Sequence, residues 1–254
     1  MFLKMPCAII AKVILFIRED TIVKPEKREA FAAFIEKNKH GFLLLYFLIY
    51  LPWFGHVEKT VTTHFHVIHM AIDDYIPFCE YFIIPYLLWF AYIAWGFVYF
   101  YFKNKDEYFR LCMTLFTGMT IFLIISSIYP NGHYLRPTTF ERDNIFVQMV
   151  KWLYSTDTAT NLFPSIHVYN SIMVNIAVWH CDNFKNNRMV RYGSAILATS
   201  IVLSTMFLKQ HSAFDVITGI IMAVSMYMVV YVNNWYRLPV RQRQPMYKRK
   251  MRHI

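Results

Sequence analysis

Charged residues are scarce in this 254-residue chain: Asp, Glu, Lys and Arg make up 17% of it, against about 25% in an ordinary soluble domain. Glycine is scarce too, at seven residues. No Gly/Ser-rich linker, low-complexity stretch or internal repeat interrupts the chain, which leaves a single domain. The four cysteines, Cys7, Cys79, Cys112 and Cys181, lie far apart without a C-x-x-C pair. They give no metal or redox motif and exclude a disulfide scaffold. What fills the space is apolar: 57% of the residues are hydrophobic and 19% aromatic. That composition excludes a soluble globular enzyme and a disordered chain.

Six apolar runs stand out, the first being GFLLLYFLIYLPWFGHV from residue 41 and the others about 78–102, 110–129, 163–180, 191–208 and 213–235. Each approaches the roughly 20 residues a bilayer-crossing helix needs. The expected fold is therefore all-α, an integral membrane six-helix bundle with interfacial helices. A charged cytoplasmic segment (1–40) precedes the six-span domain (41–235), and a basic cytoplasmic tail (236–254) follows it. Residues 1–17 are apolar, but Lys12 interrupts them and no A-x-A-like site follows. They read as an interfacial amphipathic segment rather than a signal peptide. Pro85 falls inside the second run and predicts a kink.

The net charge of +10 would suggest nucleic acid in a soluble protein, so its distribution matters. Of the 26 Lys and Arg residues, 21 lie in the N-terminal segment, the loops after spans two and four, and the tail; five lie in the alternate segments. Positive charges collect on the cytoplasmic side of short loops, so both termini are expected there. The charge thus orients the protein in its bilayer, and no nucleic-acid partner is expected. The tail is either a contact for anionic lipid headgroups or a solvated tail. Nothing in the sequence signals an oligomeric state.

Polar residues at membrane depth are costly and mark function. Three segments carry them, YPNGHYLRPTT (129–139), NLFPSIHVYNS (161–171) and STMFLKQHSAFD (204–215), all at outer ends of the proposed spans. His211 and Asp215 are spaced i, i+4 and share a helix face. A carboxylate there fixes the imidazole tautomer and leaves the other nitrogen free as a nucleophile or base; the alternative is a polar pair that only packs helices. His167, after Pro164 and Ser165 at the start of span four, supplies a second imidazole at the same depth and makes an acid and nucleophile team. Arg136 adds a guanidinium fork suited to phosphate oxygens. His133, Asn131 and Asn161 are expected beside a site open to the outer water layer.

Together these blocks resemble the type-2 phosphatidic acid phosphatase superfamily. Its pattern is a Lys, six residues, Arg-Pro, then Pro-Ser-Gly-His, then Ser-Arg, five residues, His, three residues, Asp. Arg136-Pro137 matches the first block, Pro164, Ser165 and His167 the second, and Ser204, His211 and Asp215 the third. The resemblance implies a membrane lipid phosphate phosphatase without metal or other cofactor, acting on a lipid phosphate at the extracytoplasmic face. It implies that His211 attacks phosphorus, Asp215 orients it and His167 protonates the leaving alcohol. Arg136, Ser165, Ser204 and backbone donors would hold phosphate oxygens. Three positions depart from the pattern: Tyr129 stands for the Lys, Ile166 for the Gly and Thr205 for the Arg. Lys209 either restores one lost charge in the phosphate pocket or snorkels to the interface.

The Ile variant of the second block is similar to branches that include inositol phosphorylceramide synthases, so phosphotransfer to an alcohol is the alternative within the same chemistry. A non-catalytic lipid-binding membrane protein is an alternative outside it. A third reading is a zinc site from His64, His66 and His69 with Asp73 and Asp74. Against it, the same residues read as the polar side of an interfacial helix. NIFVQMVKWLY (144–154) reads as another such helix near the site, anchored by Trp152 and Tyr154.

Overall fold

A computed structural model describes residues 25–61 and 64–233. The expectations for residues 1–17 and for the tail from 236 lie outside the described residues. Helix α1 (Pro25–Asn38) passes through a 3-10 stretch (Lys39–Tyr46) into α2 (Phe47–Thr60). After an outer segment come α3 (Ile83–Lys103) and α4 (Lys105–Ile128). A second outer segment holds α5 (Ile145–Thr156), and α6 (Ile166–His180), α7 (Arg188–Phe207) and α8 (Ala213–Tyr227) complete the bundle.

Caps set many of the helix starts, because the first amides of a helix have no partner within it. The side chains of Asn104, Asn144, Ser165, Asn187 and Ser212 accept the amides of Glu107, Val147, Val168, Val190 and Phe214 respectively.

Among the described residues, five helical stretches are long and apolar enough to cross a bilayer: Ala33–Thr60, Glu80–Lys103, Lys105–Ile128, Arg188–Phe207 and Ala213–Val232. Exposed Leu48, Ile49, Phe102, Ile196, Ile221 and Val224 give them an apolar exterior. The chain is an all-α, multi-pass membrane bundle. The sixth expected span, 163–180, is α6, and it has only 15 residues. At 1.5 Å per residue that is roughly 22 Å, short of the ~30 Å hydrocarbon core. The reason is its position at the centre of the bundle, against α3, α4, α7 and α8. Val168, Tyr169, Met173, Val174, Ala177 and Val178 are all fully buried. A helix that faces protein along most of its surface has little lipid thickness to match.

Gly118 makes that central packing possible. A Cβ there would lie 2.1 Å from the ring of Tyr169, whose hydroxyl donates to the Thr114 carbonyl at 2.6 Å. The ring of α6 thus lies directly on the backbone of α4.

Two local expectations change. Pro85 is the third residue of α3, where an amide N–H would have had no helical acceptor, so it imposes no kink. The outer segment 64–74 is not an interfacial helix. His66 and Val67 pair in parallel with Asn131 and Gly132, and a 3-10 turn (Ala71–Asp74) follows. Edge pairing and a buried Asp73 replace the amphipathic face. The stretch 144–154 is helical as expected: α5 buries Val147, Val150 and Leu153 and exposes Ile145 and Trp152.

Candidate active site

The outer segments converge through backbone pairing. Gly132 is required at the crossing: a Cβ would lie 2.6 Å from the Ala159 carbonyl oxygen and 2.9 Å from the Phe65 ring. Asn131 then pins the approach to α6. Its carbonyl accepts the Asn161 amide at 2.6 Å, and its side-chain oxygen accepts the amides of Leu162 and Phe163 at 2.8 and 2.9 Å. The Ser165 amide donates to the Asp215 carbonyl at 3.2 Å, which joins the start of α6 to the first turn of α8. Tyr154 of α5 donates to the Leu208 carbonyl at 2.6 Å.

These ties bring His167 and His211 face to face. His211 Nε2 lies 3.5 Å from His167 Nδ1, and His211 Nδ1 lies 3.4 Å from Asp215 Oδ2. The second contact has the length of an ion pair without the alignment of a hydrogen bond, since His211 Nδ1 and Asp215 Oδ1 are both buried without a partner. Asp215 Oδ2 is committed to the Ser212 amide at 3.0 Å, closing a capping box at the start of α8. Tyr86 and Trp89 of α3 lie against the His167 ring, with centroids 4.9 and 4.4 Å away.

Arg136 is held as a fork. Its Nη1 donates to the carbonyls of Tyr154 (3.4 Å) and Asp157 (2.7 Å), and its Nη2 to the Thr158 carbonyl (2.8 Å) and Gln210 Oε1 (2.6 Å). The guanidinium also stacks over Tyr154 at 4.6 Å. Of its five N–H groups only the one on Nε is left, buried and unpartnered. Burial raises the pKa of Asp157, and the nearby charges of Arg136 and His211 pull it back.

His133 is not at the rim of an open site. It is 1% exposed and Asn131 and Asn161 are buried as well. His133 Nε2 lies 2.9 Å from the Gln210 carbonyl, and Nδ1 accepts the Leu135 amide at 3.2 Å. A carbonyl and an N–H on opposite sides select the neutral ring with its proton on Nε2. Burial lowers its pKa to about 4, only partly offset by the Gln210 carbonyl. The unfolded imidazole protonates near 6.5, so between those values the unfolded chain binds more protons. This contribution to stability is complete above pH 6.5 and is lost as pH falls toward 4. The expected loss is about 3 kcal/mol. Denaturation in detergent at pH 7.5 and 4.5 measures it; His133→Gln should flatten the difference, and identical pH slopes in the two proteins would contradict this account.

Three other expected phosphate residues have different placements. Ser165 is fully buried and caps α6. Ser204 is also fully buried, and its hydroxyl donates to the Ile201 carbonyl at 2.6 Å, inside its own helix. Lys209 occupies a tight turn at φ 52° and its amine donates to the Asp73 carbonyl at 2.7 Å. That bond ties the amine to the outer segment. The positions of the lost family cations themselves supply no charge: Tyr129 stacks on His66 at 4.2 Å, and Thr205 is buried with its hydroxyl on the Val202 carbonyl.

The zinc constellation disperses. His66 stacks on Tyr129, His69 pairs with Asp74 at 2.8 Å, and Asp73 turns to α8. Among the described residues no group of three or more His, Cys, Asp or Glu side chains is arranged to hold a metal ion. Sequence reasoning missed Tyr86, Trp89, Asp157, Gln210 and the true place of Asp73. Only the i, i+3 spacing of Tyr86 and Trp89 offered a signal, and it was hidden in a run crowded with aromatics.

The family model of the PAP2 superfamily matches residues 135–239. No curated protein and no solved structure gives a match. The matched segment starts beside Arg136, takes in α5 to α8 and contains His167, His211 and Asp215. That superfamily is the type-2 phosphatidic acid phosphatase superfamily, which residues 135–239 resemble.

Proposed function

We propose that this protein is a membrane lipid phosphate phosphatase that hydrolyses a lipid phosphomonoester or pyrophosphate through a phosphohistidine intermediate. The observation that carries the reading is the His167–His211 contact, with Asp215 behind the second imidazole. His211 turns Nδ1 toward the carboxylate, so its Nε2 lone pair is the one available to phosphorus. Nε2 attacks, the bond from phosphorus to the lipid oxygen breaks, and protonated His167 delivers its proton to that oxygen. Neutral His167 then takes a proton from water, whose oxygen attacks the phosphohistidine and releases inorganic phosphate. Arg136 supplies positive charge and its remaining Nε–H, and the amides opening α6 supply further donors, to the phosphate oxygens.

An in-line transfer needs about 3 Å from nucleophile to phosphorus and a further hydrogen-bond length to the acid, roughly 6 Å in all. The two imidazoles stand closer than that, so substrate entry separates them. The charge asymmetry along the chain supports cytoplasmic termini and an extracytoplasmic site. The substrate then arrives from the outer leaflet.

Purified full-length protein, assayed for phosphate release over a panel of lipid phosphates with and without alcohol acceptors, tests the reading. Activity should survive chelator and be inhibited by vanadate, whose five-coordinate form resembles the transition state. His64→Ala should change the rate by no more than a few fold. A zinc requirement, or a large loss in that variant, would move the chemistry to the outer histidines. Diversion of most phosphoryl groups into a new ester would make the protein a phosphotransferase.

A further inference from the structure

The outer segment between α2 and α3 holds the polar residues that the phosphate chemistry does not use, and one of them reaches the centre of the site. Asp73 is 2% exposed. Its Oδ1 accepts the Ala213 amide at 2.7 Å, and its Oδ2 accepts the Ser212 hydroxyl at 2.5 Å and the Met70 amide at 2.8 Å. Its carbonyl accepts the Lys209 amine at 2.7 Å. One residue thus grips positions 209, 212 and 213, on both sides of His211.

We propose that Asp73 is a positioning residue for His211, acting by withholding competing hydrogen-bond donors from Asp215. This rests on the reading of His211 as nucleophile and Asp215 as its orienter. The argument is an accounting of donors at the start of α8. The Ser212 amide already goes to Asp215 Oδ2. Two further donors, the Ser212 hydroxyl and the Ala213 amide, stand in the same turn, and both go to Asp73. Asp215 Oδ1 consequently has no partner, and the carboxylate, whose Oδ2 lies 3.4 Å from His211 Nδ1 and takes one backbone donor, stays available to the imidazole. Without the Asp73 carboxylate, those two donors turn to Asp215 as the next acceptor in the turn, and His211 loses the group that fixes its tautomer. Pairing of His66 and Val67 with Asn131 and Gly132 anchors the segment, so Asp73 presents its carboxylate from a fixed frame.

Asp73→Asn is the informative variant because it keeps the shape and one acceptor oxygen. The remaining oxygen still takes the Ala213 amide, while the new amide group cannot accept the Ser212 hydroxyl, whose proton is released toward Asp215. The expected result is a kcat about tenfold lower, as for a modest misplacement of a reacting group, with KM within about twofold and a modestly lower melting temperature, because the new amide group also faces the Met70 N–H. Adding Ser212→Ala removes the released hydroxyl and should recover part of the lost kcat, although it also removes a helix cap. A kcat within twofold of wild type in Asp73→Asn, or a double variant no faster than the single one, would overturn the proposal.

A second readout is independent of turnover: side-chain nitrogen shifts in NMR spectra of the detergent-solubilised protein, assigned with His211→Gln. His211 should be the Nδ1–H tautomer in the wild type and a mixture in Asp73→Asn. If the wild type turns over no lipid phosphate, the phosphatase reading falls while the tautomer still decides on Asp73. An unchanged tautomer would overturn the positioning role.

Discussion

Replacing His211 with Ala should lower phosphate release by at least about 10⁴-fold, the scale seen when a nucleophile that works as part of a unit is removed. The loss should be chemical rather than structural. The backbone at 211 keeps its bond from the amide to the Thr205 carbonyl, the Asp73 clamp grips neighbouring residues, and the imidazole itself makes no well-aligned bond to Asp215. The melting temperature should therefore stay close to that of the wild type. Acid quenching of protein turning over a radiolabelled lipid phosphate should trap no phosphohistidine in this variant. His167→Ala should behave differently, because an acid is needed only when the leaving alkoxide is strongly basic. With an aryl phosphate, whose leaving group departs without a proton, His167→Ala should still form the phosphoenzyme while His211→Ala does not. Both variants failing equally on the aryl ester would remove the distinction between nucleophile and acid, and residual turnover in His211→Ala would remove it as nucleophile.

Apart from the pairing of His167 with His211, announced by their common depth at span ends, the features legible in the sequence have partners within a few residues or within one helix. His211 and Asp215 are only four residues apart, and the capping turn at Ser212, which precedes α8, brings them together although His211 itself lies outside the helix. Apolar runs likewise announce their own helices, and five of the six expected spans have the required length. α6 differs because its length is set by burial among four other helices, which no local pattern records. Lys209 shows the limit for the site. Motif spacing places it next to His211 in the chain, but the turn at φ 52° sends its amine to the Asp73 carbonyl. Asp73 shows the same limit from the other side: its partners Ser212 and Ala213 are far away in sequence, so its chemistry was read from the nearby histidines instead. His133 and Asn131 were legible as polar residues of the right segment, while their burial as pins between segments depends on contacts made across the fold.

Arg136→Ala should cost about 10³-fold in kcat/KM and should also destabilise the protein, for two separable reasons. The first is charge: with Tyr129 and Thr205 at the positions of two family cations and Lys209 engaged elsewhere, Arg136 is the cation that the motif leaves for the phosphate. Loss of a well-placed group that stabilises developing charge costs roughly 10²–10³-fold by itself. The second is scaffolding, since truncation leaves the carbonyls of Tyr154, Asp157 and Thr158 and the oxygen of Gln210 without their donor. Each buried acceptor left unpaired costs about 1–3 kcal/mol where water cannot reach it. Arg136→Lys separates the two effects. It keeps the positive charge, but a compact ammonium with three donors cannot reproduce a planar fork that spans four acceptors. The expected outcome is recovery of less than about a tenth of the wild-type kcat/KM, with most of the stability loss retained. Thermal melting and kinetics on the same preparations read the two effects side by side. Near-complete rescue by Lys would mean that charge alone accounts for Arg136, and that the segment from Tyr154 to Thr158 holds its place without the fork.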